Sequence, residues 1–139
     1  MKNNITILIV DDEMMMRNLL KKILRRDGFK VILAEDGEDA LRILGNSKVD
    51  LIICDMKMPN MSGLELLRIV KDKYPRIGMI MITAYGDAYS VTDALLLGAD
   101  EYITKPFKGH EISLVVERAY WRILSTPASI VNETDRGNP

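Results

Sequence analysis

The sequence predicts an α/β fold, a doubly wound sheet of five parallel strands with helices on both faces. Three observations lead there. Short apolar runs of strand length alternate strictly with stretches of helical period, as a parallel sheet and its crossover helices do. The first four runs are apolar enough to be buried on both faces, as parallel strands covered by helices would be. Glycines and a proline stand where the helices should stop.

The elements follow in order. The strand candidates are ITILIV (5–10), FKVILA (29–34), DLIIC (50–54), GMIMIT (78–83) and EYIT (101–104). Between them run helical stripes at three- and four-residue spacing. The first is Met16, Leu19, Leu20, Ile23 and Leu24, and the second is Ala40, Ile43 and Leu44. The third is Gly63, Leu66, Leu67 and Val70, the fourth Val91, Ala94, Leu95 and Gly98. Ile112, Val115, Val116, Ala119 and Ile123 form the fifth. Gly28, Gly45 and Gly98 are placed as helix stops, and Tyr74-Pro75 ends the third helix. The common five-stranded arrangement of this kind is flavodoxin-like, with strand order 2-1-3-4-5 and right-handed crossovers. Beyond residue 124 the periodicity fades into a polar stretch, so residues 1–124 read as one domain and 125–139 as a tail or the start of a linker.

Composition narrows the function. The chain has 139 residues, 19 basic against 20 acidic, and a net charge of −1. A domain near this length buries roughly 70% of its unfolded surface, enough for its own core. No basic surplus marks a nucleic-acid groove or an anionic membrane surface. No apolar run approaches the ~18 residues of a membrane span. The N-terminus lacks the separate apolar region and cleavage site of a signal peptide. The single Cys54 cannot form an internal disulfide, so a cytoplasmic location is the expectation.

Ligands of open parallel sheets bind beyond the carboxyl ends of the strands. There the first strand delivers Asp11, Asp12 and Glu13, the third Asp55, the fourth Thr83, and the fifth Lys105-Pro106. Taken singly, Asp11 or Asp12 reads equally well as a helix N-cap, Thr83 as a backbone partner and Lys105 as a solvated cation. Gathered at one edge, they form a chemical site. Crowded carboxylates cannot all stay ionised unless a cation neutralises them. Mg²⁺, a hard oxygen-seeking ion, suits such a cluster and leaves room for phosphate oxygens. Lys105 can offset phosphoryl charge from the other side, and Thr83 can donate a hydrogen bond. Carboxylates serve as covalent phosphoryl acceptors, and phosphoryl transfer asks mainly for positioning and charge neutralisation.

The motifs ILIVDDE (7–13), DLIICDMKMPNMSG (50–63), MITAYGD (81–87) and GADEYITKPF (98–107) carry a family resemblance. The chain resembles the receiver domain of bacterial two-component response regulators over about residues 4–124. That resemblance implies that Asp55 is the phosphorylated aspartate. It implies that Asp12 and Asp55 ligate Mg²⁺ directly, Asp11 mainly through water, and the Lys57 backbone carbonyl as a further ligand. Thr83 and Lys105 would sense the phosphoryl group, Tyr102 would be the aromatic switch, and Lys105-Pro106 would be a cis peptide. A sensor histidine kinase or histidine phosphotransfer protein would be the donor. The face formed by the fourth helix, fifth strand and fifth helix would change in response, with homodimerisation as one outcome. Beyond its own phosphorylation and dephosphorylation, such a domain is no enzyme, and it contacts neither nucleic acid nor membrane directly. The wording of TAYGD and KPF looks most like receivers of nitrogen-regulation-type transcription activators and sporulation phosphorelays.

Two other site chemistries fit less well. A haloacid-dehalogenase-type phosphatase needs a second Asp two residues past its nucleophile, and position 57 is Lys. A flavin-mononucleotide binder needs a Ser/Thr/Gly-rich phosphate loop where Asp11-Asp12-Glu13 stand. Two biological settings stay open for a receiver: part of a transcriptional regulator, or a free-standing phosphorelay intermediate. Of the remaining residues, His110 has no metal-ligand spacing, Cys54 reads as core, and Met14-Met15-Met16 as partly core and partly contact surface. Tyr89, Leu96, Leu114 and Trp121 lie off the core stripes, and Tyr102 alternates outward, so a contact face is expected there. The resemblance implies that the side chains at 57 and 85, here Lys57 and Tyr85, line the approach of water to Asp55. Neither can position and deprotonate a water, which predicts slow loss of a phosphoryl group.

Overall fold

The structure is a computed structural model that describes residues 2–84, 86 and 88–125, without the side chains at 88–90. A short 3-10 turn at Lys2–Asn4 precedes five strands and five helices in alternation. The strands are β1 (Thr6–Val10), β2 (Lys30–Ala34), β3 (Leu51–Asp55), β4 (Gly78–Ala84) and β5 (Glu101–Lys105). The helices are α1 (Met14–Arg26), α2 (Gly37–Asn46), α3 (Gly63–Lys73), α4 (Ala88–Leu96) and α5 (Gly109–Ser125). All pairings are parallel and the strand order is 2-1-3-4-5, as the alternation led us to expect.

The unbroken apolar strands make sense once both faces of the sheet are filled. Successive strand residues point to opposite faces. Ile7, Ile9, Leu51, Ile53, Ile80 and Ile82 enter one core with α1 and α5 residues, among them Leu20, Leu24, Ile112 and Val116. Leu8, Val10, Ile52, Cys54, Met79 and Met81 enter the other with Ala40, Leu44, Leu66, Leu67 and Ala94 of α2, α3 and α4.

Four expectations need correction. β2 is only partly buried except at Ala34, because as the sheet's edge strand it has a neighbour on one side alone. Leu19 is 47% exposed and Leu95 49%, although both sit on their helical stripes. α1 meets the sheet along the narrower line of Leu20, Ile23 and Leu24, which turns Leu19 outward beside Met15, four residues away. Gly45 does not stop α2, which runs one residue further to Asn46. Gly28 and Gly98 do stop their helices, at φ of 101° and 99°, the left-handed conformation glycine adopts without Cβ strain. α5 extends through Ser125, and residues 126–139, most of the expected tail, lie outside the described residues. No helix among the described residues is long and apolar enough to cross a membrane.

Leu20 and Leu19 offer a direct check of which line faces the core. Leu20→Ala is expected to cost roughly 2–5 kcal/mol in urea unfolding. Leu19→Ala, one position round the helix, should stay within about 0.5 kcal/mol.

Candidate functional site

Because every strand runs the same way, all five deliver their last residues to one edge. Asp11 and Asp12 follow β1, Asp55 ends β3 and Lys105 ends β5. Thr83 on β4 lies one residue beyond Ile82, the partner of Asp55 across the sheet. The structure therefore brings together Asp11, Asp12 and Asp55, whose carboxylate oxygens lie within 4.8 Å of one another. Asp11 is fully buried, Asp55 nearly so, and Asp12 exposed.

Each acid is held differently. Asp55 Oδ2 accepts a hydrogen bond from Lys105 Nζ at 2.7 Å, and Oδ1 accepts one from the backbone N–H of Lys57 at 3.1 Å. The Lys105-Pro106 peptide is cis. The N-cap reading of Asp11 and Asp12 fails: α1 begins at Met14, and Glu13 occupies the cap position without a side-chain bond. Asp11 Oδ1 instead accepts from the Glu13 N–H at 2.8 Å. Its other oxygen, Oδ2, is buried with no hydrogen-bond partner among the described residues. A buried, unpaired carboxylate oxygen facing two further acids is a site fitted to a hard cation.

Titration carries the same message. Burial raises the Asp11 pKa from 3.8 to about 6, the Glu13 N–H opposes this, and the Asp55 charge adds to it. Burial works against the charged Lys105 ammonium, but its hydrogen bond to Asp55 and the Asp55, Asp11 and Glu13 charges outweigh that, and its pKa rises. Burial, then the Asp55 and Asp11 charges, push the Cys54 thiol up, which removes it as a nucleophile.

The Thr83 hydroxyl is buried and donates to the Ile103 carbonyl at 3.5 Å, long for such a bond. Ile103 faces the core, and its neighbour Tyr102 is 41% exposed on the outward side of β5. Leu96, Leu114 and Trp121 are exposed on α4 and α5, as their places off the stripes imply. The side chain of Tyr89, and all of Tyr85, lie outside the described residues. The Lys57 side chain is exposed, as is His110 near the start of α5. Met14 and Met15 are exposed, and Met16 packs on the core.

Two residues at the site escaped the sequence reading. Gly63 read as a stripe position, yet a Cβ there would sit 2.2 Å from the Asp55 carbonyl oxygen and 2.8 Å from Met56 Cα. Its N–H donates to the Met56 carbonyl at 2.9 Å, so α3 starts in contact with the backbone that carries Asp55. The one hint was a glycine at the first helical position, just after the Ser62 N-cap. The other is Arg17, whose Nη1 donates to the Asp11 carbonyl at 2.7 Å. A side chain returning from a helix to the loop before it leaves no spacing signature.

Comparison with known proteins decides the family. The sequence model of the response regulator receiver domain matches residues 7–117. The chain belongs to this family. It is a receiver domain of two-component response regulators, a signalling family whose members include transcriptional regulators. Among curated relatives, the transcriptional regulatory protein CpxR of Escherichia coli is 39% identical over 83% of the chain and 50% of its own length. The DNA-binding transcriptional regulator NtrC of Proteus hauseri is 35% identical over 80% of the chain and 24% of its own length. The chain thus spans half of one relative and about a quarter of the other. A solved receiver domain from Clostridium thermocellum superposes with a TM-score of 0.80 at 34% identity, covering 85% of this chain and 95% of that one.

The Asp11 environment sets a stability test for this receiver. Its folded carboxyl titrates near 6 against 3.8, so between those values the folded state holds more protons than the unfolded. Without divalent cations, the melting temperature should rise as pH falls from about 7.5 to about 5. Asp11→Asn should raise it at neutral pH, by about 4 °C per kcal/mol of relieved burial and repulsion, and flatten the dependence. Lys105 titrates outside this window and does not contribute.

Proposed function

We propose that this receiver takes a phosphoryl group onto Asp55 and uses the change to alter its α4–β5–α5 face. The observation that carries the reading is the Lys105–Asp55 pair at 2.7 Å, set beside a carboxylate cluster with an unpaired buried oxygen. An Asp55 oxygen attacks phosphorus, the donor's bond to phosphorus breaks, and its electron pair leaves with the donor. Lys105 already touches the carboxylate, so it can follow the charge onto the phosphoryl oxygens. The Lys57 N–H, at 3.1 Å from Oδ1, is placed to do the same. Asp11, Asp12, Asp55 and the Lys57 carbonyl would hold Mg²⁺, which when bound neutralises the acids and the phosphoryl oxygens. The acceptor turns over on itself alone, so the domain is a switch and not an enzyme acting on other substrates.

A histidine kinase or histidine phosphotransfer protein fits as donor. Met14, Met15 and Leu19 expose apolar surface on α1, directly after the acidic loop, where a protein donor must approach. Residues 1–124 would form the receiver and 125–139 a tail or linker. A cytoplasmic setting accords with such partners. Partial coverage of CpxR and NtrC supports the reading that receivers of this type work beside an output region; a free-standing relay intermediate is the alternative.

Incubation with Mg²⁺ and acetyl phosphate should add one phosphate by intact mass, absent in Asp55→Asn and in metal-free buffer. Full uptake by Asp55→Asn would remove Asp55 as acceptor. The same labelled protein times the decay: Lys57→Asn and Tyr85→Ala are expected to shorten it, and unchanged decay in both would overturn the expectation that these two side chains slow phosphoryl loss.

The long Thr83–Ile103 contact suggests how the change spreads. Little holds the Thr83 hydroxyl to its present acceptor, so a phosphoryl oxygen can draw it away. That frees space beside β5 for Tyr102 to turn inward and remodels the surface of Leu96, Leu114 and Trp121. Beryllofluoride, a phosphoryl mimic, should change self-association by sedimentation and hydrogen exchange across α4, β5 and α5. Exchange changes confined to α1 would contradict this.

A further inference from the structure

The Asp12 carboxylate has neither a hydrogen bond nor an ion pair to another described residue, yet it must hold its place among two other acids. The peptide joining it to Asp11 supplies the answer. On one side, the Asp11 N–H donates to the Ala34 carbonyl at 3.2 Å and Asp11 Oδ1 accepts from the Glu13 N–H at 2.8 Å. On the other, the Asp11 carbonyl accepts from Arg17 Nη1 at 2.7 Å. That carbonyl lies in the same rigid plane as the Asp12 N–H, so fixing it fixes the direction in which the chain enters Asp12. The Arg17 backbone N–H, like that of any residue at this place in a first helical turn, also donates to the Glu13 carbonyl at 3.0 Å, so α1 itself is joined to the loop there.

We propose that Arg17 is a positioning residue for the divalent cation, setting the site's affinity by locking the Asp11–Asp12 peptide so that the Asp12 carboxylate faces Asp11 and Asp55. This rests on the reading of the three acids as the cation site. Arg17 spends its hydrogen bond on a neutral carbonyl and not on a carboxylate. It therefore orients the acids without neutralising them, and leaves their charge for the cation. Outer-sphere residues of this kind govern ligand orientation at metal sites generally.

The sign of the effect separates this role from a purely electrostatic one. A nearby guanidinium that acted through its charge would repel a cation, and its removal would tighten binding. A guanidinium that positions the ligands would, on removal, weaken binding. Mn²⁺ serves as a paramagnetic probe, and electron paramagnetic resonance counts free ion directly without any phosphoryl chemistry. Arg17→Met keeps the length of the stem and removes the donor. It is expected to weaken Mn²⁺ binding by roughly 10- to 100-fold, as removal of outer-sphere partners does elsewhere. Arg17→Lys, which retains a donor, should recover most of the loss. Saturating metal should restore phosphoryl uptake from acetyl phosphate in Arg17→Met, placing the defect in cation affinity. Metal-free melting curves report whether the variants stay folded. Unchanged or tighter Mn²⁺ binding in a folded Arg17→Met, with Asp12→Ala still weakening it, overturns the role of Arg17 alone. Absence of binding by the wild-type protein, or indifference to Asp12→Ala, overturns the cation site and this proposal with it.

Discussion

Three carboxylates whose oxygens lie within 4.8 Å of one another repel, and in this receiver the surrounding structure holds them together against that repulsion. Parallel strands bring them to one edge, but topology alone would let the loops splay. The Lys105 ammonium on Asp55 offsets one charge. The Glu13 N–H on Asp11 offsets part of another. Gly63 lets α3 begin against the Asp55 backbone, so Asp55 cannot retreat without moving a helix whose Leu66, Leu67 and Val70 are fully buried. What is left over is Asp11, buried, half-compensated and displaced toward protonation. The cluster is thus a stressed arrangement that a proton relieves and that a cation would relieve.

The same sheet that concentrates charge at one edge separates two cores. Because residues alternate between faces, a shift at the end of β4 or β5 acts on both layers. Thr83 and Ile103 sit on adjacent strands and are tied by one long hydroxyl contact, while Tyr102, next in sequence, faces outward. Under the proposed function, a change at the acids would need only a few residues, with the long Thr83–Ile103 contact among them, to reach the outer surface.

Much of this was readable from the residues. Continuous apolar strands and alternating stripes led to the order 2-1-3-4-5, and the strand ends named the acids, the hydroxyl and the ammonium that now share an edge. The failures have a common cause. Periodicity says that a helix has an apolar face, but not how wide a strip of it the sheet will cover. Leu19 and Leu95 were therefore placed inside, and β2, although expected at the edge, was expected to be covered on both faces and is only partly so. The N-cap reading of Asp11 failed because a side chain can bond the N–H two residues along without a helix starting there. Gly63 and Arg17 were missed for a related reason. Their work is done by a close approach and by a bond to a carbonyl, and neither depends on a side-chain type that sequence reading weighs.

The two ends of β5 are built to opposite standards, and this shapes what a signal can do. At its start, Glu101 is buried between Arg118, 2.8 Å from one oxygen, and Arg122, 2.5 Å from the other though poorly aligned for a hydrogen bond. Next to it, Asp100 accepts from Lys71 at 2.8 Å and from the Met79 N–H at 2.7 Å. Breaking one partner of a buried ion pair strands the other charge, so such an end resists change. At its far end, β5 carries Lys105, whose partner Asp55 is the proposed phosphoryl acceptor, and Ile103, whose carbonyl holds Thr83 only loosely. Under the proposed switch, a strand clamped at one end and responsive at the other would pivot and not slide. Displacement of the strand itself would be largest near the acids and smallest at the charged anchor, so the surface of Leu114 and Trp121 would change through the turn of Tyr102 and not through a shift of that anchor.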